Sequence, residues 1–281
     1  MLAGEGHTVI ALGRDEQRLK ARFSANPNIL TQSYLRAADG TIDLLATMAR
    51  AAEHAPIHGA INLAGLAHVR NAEPDAYSAD VTFARDLATA CRVLAVPSLV
   101  NVSSIAARDL AIARRPALRA YGQAKLDAER AIDAVAAPGS GLVAVTLRPP
   151  AVWGPDAPGS FATIRQLLAL GLPLPIGSLV SRRAYIHVDS LCRHIAHILA
   201  TLGSRPFPPG HTVLEVADEP LSLREIFAAV ASEMKTPLRT FWFPPQLLRL
   251  GLLSIGKRDM AEIVSAELVV DPSQVEKFLR P

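Results

Sequence analysis

The sequence is poor in cysteine, in aromatic residues and in long uncharged runs, and each shortage excludes a class of protein. Two cysteines among 281 residues are too few for a disulfide scaffold and favour a reducing compartment. The longest uncharged stretch, Leu167 to Ser181, contains two glycines and two prolines and is too short to cross a bilayer. No basic start followed by an apolar core is visible. We therefore predict a cytoplasmic protein with no membrane-inserted segment.

The charge pattern is equally unremarkable. A net charge of +3 comes from scattered lysines and arginines, so no nucleic-acid partner is predicted. His194 and His197 are three residues apart, but no cysteine or carboxylate cluster accompanies them. We predict no metal site. With 50% hydrophobic and 5% aromatic residues, the composition suits helices packed on a sheet rather than a β-sandwich.

Apolar strand-like runs alternate with helical patterns through the first two-thirds of the chain. The predicted strands are His7–Leu12, Ile29–Tyr34, Gly59–Leu63, Ser98–Val102 and Leu142–Leu147. The predicted helices are Asp15–Phe23, Ile42–His54, Pro74–Leu94 and Ala117–Ala136. Strands that are apolar on both faces and separated by helices indicate a parallel sheet covered on both sides. The predicted class is therefore α/β, a Rossmann-like doubly wound sheet.

A second, smaller region is predicted after Arg148-Pro149-Pro150, where prolines and glycines become frequent. We assign residues 1–149 to the dinucleotide-binding domain, with 184–203 returning to it through Tyr185-Ile-His-Val. Residues 150–183 and 204–281 form the predicted substrate region. Its later part contains a strand at Thr212–Val216, a helix opened by Ser222-Leu-Arg-Glu with capping-box spacing, and a final helix from Asp271-Pro272.

Tyr121 and Lys125 stand four residues apart in Tyr-Gly-Gln-Ala-Lys. A spacing of four puts phenol and ammonium on one helix face, where the positive charge should lower the phenol pKa from about 10. The preceding strand ends in Ser103-Ser104, and a hydroxyl there could hold the substrate oxygen whose proton Tyr121 takes or returns. These residues predict an acid–base centre for oxidising an alcohol or reducing a carbonyl. A solvated helix pair with the same spacing is the alternative.

The order of strand, Ser-Ser, loop and Tyr-x-x-x-Lys helix resembles the extended short-chain dehydrogenase/reductases, the NAD-dependent epimerase/dehydratase group. The resemblance runs over nearly the whole chain. It implies that Ser104, Tyr121 and Lys125 are catalytic, that Ser104 also binds the substrate oxygen and that Lys125 binds the nicotinamide ribose. It places Ser103 beside the nicotinamide.

Further segments resemble cofactor-lining parts of this family. Leu147-Arg-Pro-Pro-Ala-Val-Trp-Gly-Pro155 is similar to the segment that passes the nicotinamide, which implicates Pro149. His7-Thr-Val-Ile-Ala-Leu-Gly13-Arg14 is similar to the second strand, whose end carries an acidic residue in NAD users. Gly13 and Arg14 stand there instead, so NADP is favoured slightly over NAD. The apolar strand ending in small residues resembles the His/Asn-Leu-Ala-Gly/Ala segment, and it implicates Asn62, Leu63, Ala64 and Gly65.

Two positions concern the substrate and the neighbouring helix. Ser181-Arg-Arg-Ala-Tyr-Ile-His resembles the segment of UDP-sugar epimerases in which an arginine grips the nucleotide diphosphate, and Arg183 falls on that arginine. The planar guanidinium fits phosphate well. Asp80 replaces the asparagine usual in Asn-Val of this family, and we interpret it as a solvated helix carboxylate.

The segment Gly171 to Arg183 and the closing segment Pro244 to Asp271 resemble bacterial enzymes of surface-polysaccharide synthesis. The leading hypothesis is a nucleotide-sugar epimerase or 4-keto reductase acting on a UDP-hexose, N-acetylated, with NADP or NAD. The alternatives are a reductase or epimerase of another small carbonyl compound, with Arg183 uninvolved, and a non-catalytic ligand-binding protein. The counterparts of helices Pro74–Leu94 and Ala117–Ala136 form a four-helix dimer interface in this family, which implies a homodimer.

No Gly-x-x-Gly-x-x-Gly occurs in the sequence, although this family holds the pyrophosphate on such a turn at a helix N-terminus. The opening Met-Leu-Ala-Gly-Glu-Gly-His resembles the tail of the family's first helix. We expect this chain to bind dinucleotide weakly. We also expect its second strand and the strand Gly59–Leu63 to lack the strand that lies between them in this family. We expect in-frame sequence ahead of Met1 to supply the missing strand and turn.

Overall fold

Strands and helices alternate through most of the computed structural model, which describes residues 1–65, 77–110, 116–204, 207–254, 256, 261, 268–271 and 273–280. The strands are β1 Val9–Gly13, β2 Ile29–Ser33, β3 Leu35–Arg36, β4 Ile42–Asp43, β5 Ala60–Asn62, β6 Ser98–Val102, β7 Val143–Arg148, β8 Ala151–Trp153, β9 Arg182–Arg183, β10 Tyr185–His187, β11 Gly210–Glu215 and β12 Leu221–Ser222. The helices are α1 Glu16–Phe23, α2 Leu44–Ala52, α3 Ser78–Val93, α4 Pro116–Val135, α5 Ser160–Ala169, α6 Val188–Ser204, α7 Leu223–Glu233, α8 Pro245–Ser254 and α9 Ser273–Leu279.

The chain divides into two compact units. The first unit contains Met1–Arg148, Cys192–Leu214 and Lys277–Pro281, and the second contains Pro149–Leu191 and Glu215–Glu276. No helix in the described ranges has the length and apolar character that a membrane crossing requires.

The first unit contains a four-stranded sheet in the order β11-β7-β6-β5. Strands β5, β6 and β7 are parallel, and nearly every residue of β6 and β7 is buried. Such burial indicates that both faces of the sheet are covered. Apolar side chains of α2, α3 and α4 pack on one face around Leu99 and Ala144. The predicted α/β class with a parallel, helix-covered sheet is confirmed.

Strands β1 and β2 form a separate parallel pair in the first unit. Within the described residues β1 pairs only with β2, and β5 pairs only with β6. All five residues of β1 are only half-buried, although four of them are apolar. The parallel strands that the structure describes in this unit therefore form two sheets.

Two helix starts in the first unit show why the chain changes conformation where it does. Asp15 accepts a hydrogen bond from the Arg18 N–H and caps α1, because the first N–H groups of a helix have no partner within it. Asp43 caps α2 in the same way through the Ala46 N–H. The predicted helix Ile42–His54 therefore begins two residues late, since Ile42 and Asp43 form β4.

The second unit contains two small sheets and its own apolar core. Strand β8 pairs with β10 in parallel, and β9 pairs with β12 antiparallel. Helices α5 and α7 contribute Phe161, Ile164, Ile226 and Phe227 to the core. Ser222 and Glu225 form the capping box predicted from their spacing, each accepting a backbone N–H bond from the other residue.

Two strand expectations differ from the structure. Tyr185–His187 was expected to return to the main sheet, but it pairs with β8, and Ile186 is fully buried. The strand predicted at Thr212–Val216, in the substrate region, runs from Gly210 to Glu215 beside β7. Gly210 N–H donates to Leu142 O, so this segment satisfies the sheet edge that β7 would otherwise expose.

Some predicted features lie outside the described residues. They are the first residues of the helix Pro74–Leu94, the helix-opening Pro272 and part of the closing segment from Pro244 to Asp271.

Candidate active site

Helix α4 carries Tyr121 and Lys125 directly against the turn that follows β6. That turn is a short 3-10 segment, Ile105–Ala107. A methyl group at Gly122 would overlap the Ala106 carbonyl oxygen and lie 2.8 Å from Leu110 Cδ2. Glycine is therefore required for this approach. The close packing places the phenol of Tyr121 beside the residue that precedes the turn, Ser104.

Ser104 caps the 3-10 turn and contacts Tyr121. Its Oγ accepts a hydrogen bond from the Ala106 N–H at 3.2 Å, which fixes its side chain at the carboxyl end of β6. The Ser104 side chain also acts on the Tyr121 hydroxyl, and its hydrogen-bonding influence lowers the pKa of that phenol. The structure thus brings the two predicted catalytic hydroxyls together.

The net pKa shift of Tyr121 is upward, contrary to the sequence expectation. Burial raises the pKa of Tyr121, and this effect exceeds the lowering by Ser104. The charges of Tyr77 and Asp80 also act to raise it. Lys125 Nζ lies over the Tyr121 ring, 5.8 Å from its centre. Desolvation of the phenolate therefore dominates, and the lowering of the Tyr121 pKa that the spacing of four predicted is not found.

Lys125 lies beside a glycine turn at the end of β5. A methyl group on Gly65 would overlap Lys125 Nζ, and Gly65 has a φ of 151°, so a residue with a Cβ would be strained there and would displace the ammonium. Burial lowers the pKa of Lys125, while the charges of Asp80 and Glu129 act to raise it. The predicted cofactor-lining turn and the predicted catalytic lysine are thus adjacent.

Asp80 belongs to this site, which corrects its interpretation as a solvated carboxylate. It is only half-exposed on α3, and its Oδ2 lies 3.2 Å from the position that a Cβ on Gly65 would take. Its charge acts on both Tyr121 and Lys125. The sequence did contain a signal for the role of Asp80: an acid replaces the usual asparagine in a segment that otherwise resembles the family.

Sequence reasoning missed Glu129, a buried acid one helical turn beyond Lys125. Glu129 is 3% exposed and accepts hydrogen bonds from Ser103 Oγ at 2.5 Å and from Arg148 Nε at 2.9 Å. Arg148 forms a second bond to its other oxygen. A buried carboxylate requires such partners. Its spacing of four from Lys125 was the available signal.

The remaining predicted cofactor residues of the first unit lie at strand ends. Asn62 is buried, and its Oδ1 accepts from the Ala64 N–H at 3.0 Å, while the Leu63 side chain is 70% exposed. Gly13 ends β1, and its carbonyl accepts from the Tyr34 N–H. Arg14 is exposed. Its charge acts to lower the pKa of Tyr34, which burial raises.

Pro149 and Arg183 belong to the second unit. Pro149 is buried immediately after β7. Arg183 is half-buried in β9, opposite Leu221 of β12. Its charge acts on Tyr185, whose pKa is raised by burial and lowered by the guanidinium. The structure thus gathers Ser104, Tyr121, Lys125 and the Asn62–Gly65 turn within the first unit and places Arg183 in the other.

The first-unit arrangement can move a proton at an oxygen held between two hydroxyls. A phenol and a serine hydroxyl are neighbours, and an ammonium on the same helix face lies against a turn with no Cβ. This set of donors fits an alcohol or carbonyl oxygen at the hydroxyls and a diol, such as a ribose, at the ammonium.

Comparison with known proteins was consistent with this chemistry. A family model described as the NAD dependent epimerase/dehydratase family matches residues 1–207. A UDP-glucose 4-epimerase of Vibrio cholerae is 26% identical over 160 residues, which cover 57% of this chain and 47% of that protein. The match thus spans about half the length of this curated relative.

Solved structures similar to this one cover nearly the whole chain. MoeE5 in complex with UDP-glucose and NAD has a TM-score of 0.65 and 23% identity over 99% of this chain and 86% of its own. A UDP-galactose 4-epimerase has a TM-score of 0.66 and 15% identity over 100% and 87%. WbmH of Bordetella bronchiseptica, solved with NAD+, has a TM-score of 0.63 and 18% identity over 100% and 86%.

At these identities the solved structures establish a shared fold. The family model, in contrast, matches well over half of the chain, including the strand end, turn and helix that hold Ser104, Tyr121 and Lys125. The chain belongs to the NAD dependent epimerase/dehydratase family.

Proposed function

We propose that this protein interconverts an alcohol and a ketone at C4 of a UDP-hexose with a nicotinamide cofactor, as a 4-epimerase or a 4-keto reductase. The observation that carries the proposal is the placement of Ser104 next to the Tyr121 hydroxyl, with Lys125 on the same helix face against the Gly65 turn. The similarity to a UDP-glucose 4-epimerase and to a structure holding UDP-glucose and NAD supports the choice of substrate class.

Tyr121 is the proposed acid and base. Because burial raises its pKa, the phenol keeps its proton at neutral pH and can donate it to a C4 ketone oxygen. In the opposite direction the phenolate takes the proton of the C4 hydroxyl. Ser104 would hydrogen-bond the same oxygen and stabilise the charge that develops on it. Bound nicotinamide would supply or accept the hydride at C4.

Lys125 is proposed to stabilise the phenolate form of Tyr121 and to bind the nicotinamide ribose. The absence of a Cβ on Gly65 leaves room for the Lys125 ammonium against the backbone of the turn. We propose that Asn62, Leu63, Ala64, Ser103 and Pro149 line the cofactor with it. Exposed Arg14, next to Gly13 at the end of β1, suits a 2′-phosphate, so we propose NADP(H) ahead of NAD(H).

The finer substrate assignment rests on the second unit and on sequence resemblance. We propose that Arg183 binds the diphosphate of UDP, since a guanidinium presents a planar pair of donors to phosphate. An N-acetylated hexose and a role in surface-polysaccharide synthesis follow from the resemblance of the segments Gly171–Arg183 and Pro244–Asp271.

Replacing Tyr121 with phenylalanine should lower turnover at least about a hundredfold, the usual scale of an acid–base contribution. Lys125→Ala should have a comparable effect. Reduction of 4-keto UDP-sugars is followed by nicotinamide absorbance, and NADPH should give a higher kcat/KM than NADH. Epimerisation leaves the nicotinamide unchanged overall, so it is followed by chromatographic separation of the two C4 epimers. Tyr77→Phe is the matched control, because its ring packs edge-to-face on Tyr121 with centroids 6.0 Å apart. Activity within a few-fold of wild type in both Tyr121→Phe and Lys125→Ala would exclude this mechanism.

Asp80→Asn should move the alkaline limb of the pH profile of kcat/KM to lower pH. The Asp80 carboxylate raises the pKa of both Lys125 and Tyr121, so its loss lowers both values and Lys125 loses its charge at a lower pH. Asp86→Asn is the control, since Asp86 lies on the same helix in an exposed pair with Arg85. An unchanged or upward-shifted limb in Asp80→Asn would contradict the electrostatic role.

Arg183→Ala should weaken the thermal stabilisation that UDP and UDP-sugars give. A ligand at about 100 times its Kd stabilises the folded state by about 2.7 kcal/mol, and removing a charge-assisted phosphate contact raises that Kd. Arg182→Ala is the control, because Arg182 is exposed and paired with Glu225. If UDP-N-acetylglucosamine and UDP produce no calorimetric signal while another carbonyl compound is reduced, the substrate assignment fails and the first alternative replaces it.

The homodimer implied by the resemblance stays a prediction. Helices α3 and α4 each leave one large apolar side chain exposed, Val93 at 57% and Leu118 at 45%, and burial of such side chains would stabilise the pairing of two copies. Light scattering should give twice the chain mass at micromolar concentration, whereas a stable monomer would count against this assembly.

A further inference from the structure

A row of polar side chains crosses the four-stranded sheet of the first unit. Asn62 of β5 pairs in register with Asn101 of β6, and Asn101 pairs with Thr146 of β7. His211 of β11, the strand beside β7, completes the row. Asn62, Asn101 and Thr146 are at most 5% exposed. Buried polar groups destabilise a fold unless they are hydrogen-bonded, so four on adjacent strands require an explanation.

Every neighbouring pair in the row is hydrogen-bonded. Asn62 Nδ2 donates to Asn101 Oδ1 at 2.9 Å, and Asn101 Nδ2 donates to Thr146 Oγ1 at 3.2 Å. Thr146 Oγ1 and His211 Nε2 are 2.8 Å apart. At its other end the row holds the Ala64 N–H, which donates to Asn62 Oδ1. The row thus runs from the Asn62–Gly65 turn to His211.

The direction of these bonds follows from the Ala64 N–H, which can only donate. Asn62 Oδ1 must accept from it, so Asn62 Nδ2 points to Asn101. Asn101 Oδ1 accepts that bond, so Asn101 Nδ2 points to Thr146. Thr146 Oγ1 then already accepts a hydrogen bond from Asn101, and its own hydroxyl can donate to an unprotonated His211 Nε2. In such a chain each bond polarises the next in the same sense.

The surroundings of His211 favour this unprotonated Nε2. The His211 side chain is 4% exposed, and its Nδ1 lies 3.6 Å from Asp133 Oδ1 of α4. Burial lowers the pKa of His211 and exceeds the raising effect of Asp133 and Glu129, while Arg148 of β7 lowers it further. Burial thus favours the uncharged ring, and the tautomer with its proton on Nδ1, towards Asp133, leaves Nε2 free to accept from Thr146.

We propose that His211 is a positioning residue for the Asn62–Gly65 turn and acts on it through Thr146, Asn101 and Asn62. The turn needs such support because Leu63 is 70% exposed and Gly65 is exposed with a φ of 151°, so apolar packing fixes it little. Held in place, Gly65 lies against Lys125 Nζ. The consequence for cofactor binding rests on the proposed function, whereas the effect on the turn does not.

The direct test is amide hydrogen exchange at Ala64 in the full chain, measured by NMR without cofactor. His211→Leu removes the acceptor and should speed exchange of the Ala64 amide about three- to tenfold, the effect of one lost hydrogen bond. His211→Gln offers an oxygen near the position of Nε2 and should restore most of the protection. The β6 and β7 amides report whether the sheet itself is intact.

Two matched controls separate this role from general stability. Thr146→Val breaks the row at its centre and should match His211→Leu. Thr201→Val removes a hydroxyl of similar burial, which bonds only to His197 O of its own helix, and should leave Ala64 unchanged. Equal loss of protection at Ala64 and throughout β6 and β7, or failure of His211→Gln to restore it, would show a merely structural role and overturn the proposal.

A titration of the wild type needs no variant. When His211 gains a proton, Nε2 becomes a donor and can no longer accept from Thr146, so the protection factor of Ala64 should fall as the His211 ring titrates below the ordinary histidine range. The same titration of His211→Gln should be flat. A constant protection factor in the wild type while the ring NMR shifts titrate would overturn the proposal.

Cofactor binding is measured in parallel. NADH and NADPH should bind His211→Leu about three- to tenfold more weakly than wild type, the loss expected from a loosened turn, and bind His211→Gln nearly normally. If neither nucleotide binds the wild type measurably, which agrees with the weak binding expected without a glycine-rich turn, the exchange at Ala64 alone decides the role of His211. If both bind all variants equally while Ala64 exchange responds, the turn is held by the row but does not contact the nucleotide, and the extension to cofactor binding is overturned.

Discussion

The candidate site depends on how closely helix α4 lies against the loops that follow the parallel strands. Gly122 permits contact with the Ala106 carbonyl oxygen, and Gly65 permits contact with Lys125. A Cβ at position 122 would push the helix away from the backbone of the turn after β6 and would separate Tyr121 from Ser104. A Cβ at position 65 would displace the Lys125 ammonium from the turn at the end of β5. Two glycines therefore allow helix α4 to lie against both the turn after β6 and the turn after β5.

Close packing of this kind buries charge, and the first unit compensates for it in two ways. Glu129, which faces the sheet from α4, is neutralised by Arg148 and hydrogen-bonded by Ser103. The polar side chains of the sheet satisfy one another in a continuous row from Asn62 to His211. Removing one member of such a group leaves its partner buried and unsatisfied, which costs more free energy than the bond contributes. The polar groups of this core therefore depend on each other.

Burial also controls the acid–base properties of the site. It raises the pKa of Tyr121 and lowers that of Lys125, so it disfavours the charged form of both residues. Asp80 and Glu129 partly restore the charge of Lys125. A phenol that keeps its proton suits reduction, in which a proton must be given to the substrate oxygen. The opposing influences of burial and acidic neighbours thus decide in which protonation state the site rests.

The sequence by itself determined the class of the fold and the placement of Tyr121 and Lys125 on one helix face. Strands apolar on both faces specify a parallel, helix-covered sheet, and a spacing of four fixes Tyr121 and Lys125 on one helix face, because both are local, periodic properties. It did not determine that Tyr185–His187 pairs with β8, that Asp80 faces Lys125, or that Glu129 and His211 join buried networks. Each of these depends on contacts between residues distant in sequence, and only tertiary packing chooses among the possible partners. The upward pKa shift of Tyr121 has the same origin, since helical spacing specifies which charges are near but not how much water is excluded.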